Sequence, residues 1–236
     1  MENLKPEKVL TAKELASYFD HTLLRANATV SEFKKLCDDS KRYGFCMVAI
    51  NPAPVKLCKP FLADSQVHVG AAIAFPLGQT TLEDKLSETR NAIKNGADEI
   101  DYVVNLTKLK AGDTAYIESE MARITDICRE FSVVSKVIFE NCYLTEDEKK
   151  TLCHIATKVK PDFIKTSTGF GTGGATFEDV ALMKRETEGS GVKIKAAGGI
   201  RTLKTALEMI DLGVSRIGST SSVAIMEEYM AHSPLL

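Results

Sequence analysis

The sequence predicts an α/β protein, a (β/α)8 barrel of the TIM type with a short N-terminal helix. Eight short apolar segments alternate with helical segments along the 236 residues. Alternation of this kind is typical of parallel strands with helices packed outside them. The apolar segments are nearly continuous, as expected for strands that are buried on both faces. The chain length fits the small end of the range for such barrels.

The predicted strands end at turn residues or at residues that begin helices. They are Tyr18–Leu23, Phe45–Ile50, Val67–Ala74, Glu99–Val104, Val133–Phe139, Phe163–Lys165, Val192–Ala196 and Val214–Ile217. Asn51-Pro52, for example, ends the second strand, because proline cannot donate a hydrogen bond within a central strand.

The predicted helices begin at good N-cap residues. Thr11 with Glu14 forms a capping-box pattern and predicts the short first helix, and Thr145 with Glu148 repeats that pattern. Thr29 begins the second helix, which ends at a glycine, the usual residue at a helix C-terminus. The other predicted helices cover 54–62, 81–94, 113–130, 176–187 and 202–211, and a last helix follows 218–221.

No linker or change of composition divides the chain, so we predict one domain over residues 1–236. An open, doubly wound sheet is the alternative, because it also alternates strands and helices but need not close at eight strands. The count of eight favours the barrel.

Charge and cysteine usage argue against several classes of protein. The net charge is −2 without long runs of one sign, which gives no electrostatic footprint for nucleic acid or a membrane surface. The six cysteines form no CxxC pair, and the four histidines lack metal-ligand spacing, so we expect reduced cysteines and no metal site. The N-terminus lacks the apolar core of a signal peptide, and the longest apolar stretch, 69–77, is short of the ~20 residues that cross a bilayer. We therefore expect a cytoplasmic protein.

The stretch 161–174, PDFIKTSTGFGTGG, ends a buried strand with Lys165. Burial of an ammonium group is costly, and desolvation lowers its pKa, so the neutral amine becomes available as a nucleophile. A lysine that extends from the strand end to solvent is the alternative interpretation.

Other predicted strands also carry charged residues. Asp20, Asp101, Lys136 and Lys195 interrupt four of them. In a barrel these residues would converge with Lys165 on one mouth, where Lys195 would lower the pKa of the nucleophile and Asp101 would move protons. An Asp101–Lys195 ion pair that simply closes the mouth is the structural alternative.

Glycine-rich loops follow the sixth, seventh and eighth strands. They contain Thr168-Gly169, Gly198-Gly199 and 218–221. The loops after strands 7 and 8, together with a helix N-terminus, form the usual phosphate site of these barrels. Ordinary tight turns with N-caps remain the alternative.

These residues resemble deoxyribose-phosphate aldolase, a family of class I, Schiff-base aldolases. The matching motifs are DHTLL at 20–24, FCMVAINP at 45–52, FPLG at 75–78, DEIDYVVN at 98–105, FIKTSTGF at 163–170 and KAAGGIR at 195–201. The resemblance implies a (β/α)8 fold without metal or organic cofactor. It also implies reversible cleavage of 2-deoxy-D-ribose 5-phosphate to acetaldehyde and D-glyceraldehyde 3-phosphate.

The resemblance also assigns roles to residues. Lys165 corresponds to the Schiff-base lysine, Lys195 to the lysine that tunes it, and Asp101 to the acid–base partner. The residues that the resemblance assigns to substrate binding are Asp20, Cys46, Lys136, Gly169, Gly198, Gly199, Gly218, Thr220 and Ser221. The loop pattern adds Thr168, and Arg201 in the last motif is a further candidate for the phosphate. Phe170 stands where some members of the family carry a phosphate-binding lysine. Phosphate binding is therefore expected to depend more on backbone donors and Arg201.

Two other functions fit parts of the sequence. A sugar-phosphate isomerase would share the phosphate loops but would need neither Lys165 nor Lys195 in a strand. A non-catalytic barrel that binds a sugar phosphate as a sensor is the second, because a fold does not fix a function. Binding without turnover would distinguish it. Small sugar phosphates and aldehydes are the expected partners, and the resemblance implies a homodimer or a larger homo-oligomer.

Overall fold

The eight strands close into a parallel barrel. A computed structural model describes residues 10–232, so both ends of the predicted domain, 1–9 and 233–236, lie outside the described residues. The strands are β1 (Phe19–Leu23), β2 (Met47–Ile50), β3 (His68–Ile73), β4 (Glu99–Val103), β5 (Val134–Ile138), β6 (Phe163–Lys165), β7 (Lys193–Ala197) and β8 (Arg216–Ser219). Each strand pairs with the next, and β8 pairs with β1. The predicted barrel is confirmed, and the open sheet is wrong.

Within residues 10–232, α-helices follow every strand and one precedes β1. They are α1 (Ala12–Ala16), α2 (Val30–Tyr43), α3 (Val55–Phe61), α4 (Leu82–Lys94), α5 (Leu106–Lys110), α6 (Thr114–Glu130), α7 (Glu146–Val159), α8 (Phe177–Glu186), α9 (Leu203–Asp211) and α10 (Ser222–His232). The predicted short N-terminal helix is α1.

The predicted caps form as local chemistry dictates. Thr11, Thr29 and Thr145 each accept a hydrogen bond from the backbone N–H three residues on, and the glutamate there completes a capping box. Gly44 ends α2 in the left-handed conformation, with φ of 74°.

Two strands differ from the prediction by two residues, other strand ends differ by one residue at most, and one helix was not predicted. β2 begins at Met47, two residues later than predicted, and β8 covers Arg216–Ser219 instead of Val214–Ile217. Gly218 and Ser219 therefore belong to the last strand, where they pair with Ala197 of β7 and His21 of β1. The unpredicted helix α5 begins after Asn105, whose side chain accepts a hydrogen bond from the Lys108 N–H.

The hydrophobic core is a shell between the outer face of the barrel and the helices. Outward-facing strand residues, such as Val48, Ile100 and Ile217, are fully buried in this shell. Because successive strand residues face opposite sides, their immediate neighbours point into the barrel. Several of those neighbours are charged, so the interior of the barrel is polar whereas the shell around it is apolar.

Candidate active site

Inward-facing residues of the barrel stack in levels, as expected for this fold. Glu99, Phe163 and Arg216 are the first residues of β4, β6 and β8 and lie at the amino-terminal end of the barrel, which we call the floor. Asp20, Lys136 and Lys195 lie one or two residues into β1, β5 and β7. Asp101 and Lys165 lie two residues beyond Glu99 and Phe163 on the same strands and are therefore nearer the mouth.

Asp101 is the centre of the charged interior. Its Oδ2 atom accepts hydrogen bonds from Lys165 Nζ at 2.8 Å and from Lys195 Nζ at 2.7 Å. Its Oδ1 atom accepts one from Lys136 Nζ at 2.8 Å. All four side chains are at most 4% exposed. The structure brings together these four residues, which the sequence predicts to converge at one mouth.

Lys165 has the altered acidity that a nucleophilic amine needs. Burial lowers the pKa of its ammonium group, and the positive charges of Lys195 and Lys136 lower it further. Asp101 opposes these effects, and the resulting pKa is about 8. A substantial fraction of Lys165 is therefore neutral near physiological pH, unlike an ordinary lysine.

Asp101 and Lys136, two neighbours of Lys165, remain charged. Burial raises the pKa of the Asp101 carboxyl, but the ammonium groups of Lys136, Lys165 and Lys195 outweigh burial and hold that pKa well below its usual range. Burial lowers the pKa of Lys136, but Asp101, Glu99 and Asp20 outweigh it, so the pKa lies above its usual value. Of these three groups, Lys165 is therefore the one whose pKa lies nearest neutral pH.

A pocket of about 710 Å³ opens above Lys165. Its lining includes Thr168, Gly169, Phe170, Gly198, Gly199, Arg201, Gly218, Ser219 and Thr220. The Asp101–Lys195 ion pair forms, but it lies beneath this pocket and does not close the mouth. Lys165 is the member of the charged centre that lines the opening.

The glycines of the loops after β6 and β7 come into close contact at the mouth. Gly169, Gly198 and Gly199 all have positive φ angles, between 81° and 86°, which favour glycine. A Cβ atom at Gly174 would lie 2.2 Å from the Gly198 carbonyl oxygen, so the two loops pack backbone to backbone. The region around an added Cβ at Gly199 is open, which leaves its backbone accessible from the pocket.

The structure divides the predicted binding residues other than Cys46 into three groups. Thr168, Gly169, Gly198, Gly199, Arg201, Gly218 and Thr220 line the pocket. Asp20 and Lys136 lie below it, fully buried among charged partners. Ser221 is adjacent to the lining, and its N–H donates to Ser219 Oγ at 2.9 Å.

Cys46 was predicted to bind substrate, but it lies away from the pocket, and this corrects the prediction. It directly precedes β2 at the floor, and it does not line the pocket. Burial raises the pKa of its thiol to about 11, and the charges that act on it are those of Arg216, Asp20, Glu99 and Lys136. Cys46 belongs to the motif FCMVAINP but lies before the strand. The inward-facing positions of β2 begin with Met47, whose sulfur lies 3.5 Å from Lys136 Nζ.

The sequence reasoning missed three charged residues of the site. Glu99 and Arg216 are buried at the floor, where Arg216 Nη2 donates to both carboxylate oxygens of Glu99 at 3.1 Å. Glu140 follows β5, and its carboxylate accepts hydrogen bonds from the N–H of Thr168 at 3.1 Å and from its hydroxyl. Glu99 could have been found, because it lies two residues before Asp101 and faces the same side of its strand.

Two kinds of feature are absent from residues 10–232. No helix in this part of the chain is long and apolar enough to cross a membrane. The same residues contain no group of three or more His, Cys, Asp or Glu side chains that could hold a metal ion. The described cysteines are unbridged, and Cys37, Cys58, Cys128 and Cys153 are buried.

Together the fold and the site define a class of protein. A closed (β/α)8 barrel with buried charged residues below a pocket at the carboxyl ends of its strands is a barrel enzyme.

Comparison with known proteins identifies the family within that class. Residues 14–219 match the family model described as DeoC/LacD family aldolase, so the chain belongs to this family of aldolases, which are carbon–carbon lyases. It is 55% identical over 217 residues to deoxyribose-phosphate aldolase of Lactobacillus acidophilus, covering 92% of this chain and 91% of the relative. It is 50% identical to the Bacteroides thetaiotaomicron enzyme of the same name, covering 93% and 92%. The tetrameric deoxyribose phosphate aldolase of Aeropyrum pernix superposes with a TM-score of 0.87 at 28% identity, covering 94% of each chain.

Proposed function

We propose that this aldolase reversibly cleaves 2-deoxy-D-ribose 5-phosphate to D-glyceraldehyde 3-phosphate and acetaldehyde through a Schiff base on Lys165. The observation that carries the proposal is a buried lysine with a pKa of about 8 that contacts Asp101 and lines the pocket. The substrate is the one named for the relatives of 46–55% identity.

The first half of the reaction forms the imine. The neutral Lys165 amine attacks C1 of the open-chain sugar phosphate, and loss of water gives a protonated imine. This cationic imine withdraws electrons from the bond between C2 and C3, which is β to nitrogen. The C2–C3 bond is therefore the one that the imine activates.

The second half breaks the carbon–carbon bond. Asp101, through a water and Lys195, removes the proton of the C3 hydroxyl, and C3 becomes the aldehyde carbon of D-glyceraldehyde 3-phosphate. The electron pair of the C2–C3 bond forms an enamine on Lys165. Protonation of C2 and hydrolysis then release acetaldehyde and restore the amine.

The loops at the mouth hold the phosphate in this proposal. Gly169, Gly198 and Gly199 present backbone to the pocket, and Arg201 supplies a local positive charge. The N-termini of α9 and α10 begin just beyond the glycine loops, where backbone N–H groups and the helix dipole favour an anion.

The direct test of the proposed function is borohydride trapping. The protein is incubated with acetaldehyde and sodium borohydride and then digested for peptide mass mapping. We expect a stable adduct that adds two carbons to Lys165 and to no other buried lysine. A sugar-phosphate isomerase or a sensor would bind the phosphate without forming such an adduct.

An unmodified Lys165 would overturn the proposal if a known lysine aldolase is trapped under the same conditions. An adduct on Lys195 or Lys136 would keep Schiff-base chemistry but would assign the nucleophile to another residue.

Phe170 provides a separate prediction about specificity. Its side chain is 54% exposed at the rim of the pocket and packs edge-to-face against Phe75, with ring centroids 5.4 Å apart. An uncharged ring gives no preference for a phosphate, so we expect Phe170→Lys to raise the ratio of kcat/KM for phosphorylated over unphosphorylated aldehyde by about tenfold. Phe170→Leu is the matched neutral control. An unchanged ratio in the lysine variant would contradict this prediction.

Assembly, domain organisation and location also remain proposals. We propose a homo-oligomer, supported by the relative from Aeropyrum pernix that is described as tetrameric. Light scattering on a size-exclusion column measures the molar mass, and a monomer at micromolar concentration would contradict the proposal. We likewise propose a single domain over residues 1–236 and a cytoplasmic location.

A further inference from the structure

The floor of the barrel contains an ion pair for which the proposed reaction has no direct use. Glu99 is the first residue of β4 and Arg216 is the first residue of β8. Their side chains are 0% and 9% exposed, and the Arg216 Cζ atom lies 5.7 Å from the Phe163 ring centroid. Neither residue lines the pocket at the other end of the barrel.

Two chains of ion pairs connect this floor pair to the mouth. On one side, Glu99 contacts Lys136 Nζ, which donates to Asp101 at 2.8 Å. On the other, Arg216 Nε donates to Asp20 at 2.6 Å.

The second chain continues upward to the same carboxylate. Lys195 Nζ lies 2.5 Å from Asp20 Oδ2 and donates to Asp101 at 2.7 Å. Both chains therefore end at Asp101, the carboxylate that accepts a hydrogen bond from Lys165.

The charges of this interior cancel without Lys165. The carboxylates are Asp20, Glu99 and Asp101, and the matching cations are Lys136, Lys195 and Arg216. A protonated Lys165 is a fourth cation with no carboxylate of its own. When Lys165 loses its proton, the charges of the interior sum to zero. The electrostatic effect of a charge in a buried site extends over longer distances than in water.

We propose that Glu99 and Arg216 are positioning residues that set the protonation state of Lys165 from the floor of the barrel, by fixing the charge balance of its interior. The proposal rests on the proposed function in taking Lys165 as the nucleophile. Loss of Glu99 would leave one cation in excess and favour the neutral amine. Loss of Arg216 would leave one carboxylate in excess and favour the ammonium form.

Other charged groups near the floor are at its edge. From β3, His68 Nδ1 lies 2.7 Å from Glu99, and its side chain is 47% exposed. From β7, Lys193 is exposed, with Nζ 5.6 Å from the Phe163 ring centroid. Asp98, just before β4, pairs with Lys59 of α3, and Cys46 precedes β2. Without Glu99, His68 would lose its proton more readily, and loss of that positive charge would offset the lost Glu99 charge. The test therefore includes a His68→Gln background.

Competitive labelling with acetic anhydride measures the protonation of Lys165 without requiring catalysis. The wild type, Glu99→Gln, Arg216→Gln and the double variant, each with His68 intact and in the His68→Gln background, are labelled between pH 6 and pH 10. Peptide mass mapping then compares Lys165 with Lys204, whose side chain is 82% exposed. The pH dependence of borohydride trapping with acetaldehyde is recorded in parallel.

The two single variants should shift in opposite directions. We expect a labelling midpoint near pH 8 in the wild type, lower by about one pH unit in Glu99→Gln and higher by about one pH unit in Arg216→Gln. The double variant loses one charge of each sign and should return to the wild-type midpoint. The double variant removes both members of the floor ion pair, so neither charge stays buried without the other. Of the three floor variants it is therefore the one best able to fold.

The matched control is Glu120→Gln. Glu120 forms a fully buried ion pair with Lys85 at 2.7 Å, outside the barrel between α4 and α6. This substitution also removes a buried carboxylate, so we expect a lower melting temperature with an unchanged Lys165 midpoint. A merely structural role of the floor pair predicts the same result for the floor variants.

The outcomes separate this inference from the proposed function. Single-variant shifts in the same direction, unchanged midpoints, or a double variant unlike the wild type would overturn the inference. Labelling shifts as expected, without trapping of Lys165 in the wild type, would support the charge balance and overturn the Schiff-base proposal.

Discussion

Replacing Lys165 with alanine should reduce the turnover of 2-deoxy-D-ribose 5-phosphate by about four orders of magnitude or more. The reason is that the reaction proposed here has no imine, and therefore no electron sink, without this amine. The measurement is kcat in the cleavage direction, with glyceraldehyde 3-phosphate detected by a coupled dehydrogenase.

Lys165→Arg is the matched variant for this experiment. Arginine keeps a positive charge beside Asp101, but its guanidinium group does not deprotonate and so forms no imine. Both variants should be inactive and should give no adduct in the trapping experiment. More than a trace of activity in either variant would remove Lys165 as the nucleophile.

The fold should tolerate the alanine variant. Asp101 keeps hydrogen bonds from Lys136 and Lys195, and the remaining interior charges balance. We therefore expect a melting temperature close to that of the wild type, which would show that the activity is lost through chemistry and not through unfolding.

Asp101→Asn should have the second-largest effect, and it should separate the two halves of the reaction. The proposed proton transfer at the C3 hydroxyl needs a carboxylate, so cleavage should fall by about 10²- to 10⁴-fold. The pKa of Lys165 should fall, because the raising effect of Asp101 is lost while burial and the lysine charges remain. Imine formation with acetaldehyde at pH 7 should therefore continue or become faster.

The asparagine variant should also be less stable, by about 3 kcal/mol, since buried ammonium groups lose a partner. Lys136 and Lys195 keep Glu99 and Asp20, and Lys165 can become neutral, which limits the loss. Urea denaturation measures this difference. Loss of trapping and of cleavage together, in a folded variant, would contradict the assignment of Asp101 to the second half of the reaction.

Much of the fold could be predicted from local chemistry. The predicted strand Phe163–Lys165 agrees with β6 at both ends, and the capping boxes at Thr11 and Thr145 mark α1 and α7 correctly. These features depend on a few neighbouring residues, so one sequence is enough to find them. Lys165, Lys195 and Asp101 were found because charged residues are conspicuous in apolar strands.

The rest of the site depends on register between strands, which local pattern does not determine. Arg216 was placed in the interior of a strand predicted two residues too early, so its position at the floor was not evident. Pairing of Lys136 with Glu99 as well as Asp101 requires the β4–β5 register. The prediction for Cys46 was wrong for a related reason, because residues before Met47 lie at the floor and not beneath the mouth.

The alternation of charged inward residues and apolar outward residues has a consequence for the sequence changes that this chain can accept. Deleting one residue inside β4, for instance, would turn Asp101 toward the helices and Tyr102 toward the lysines. The deletion would abolish activity and destabilise the fold together, since the inward and outward residues of one strand serve both. Insertions and deletions should therefore be tolerated in loops and excluded from strands. Changes of substrate range should arise by substitution and by variation in loop length at the mouth.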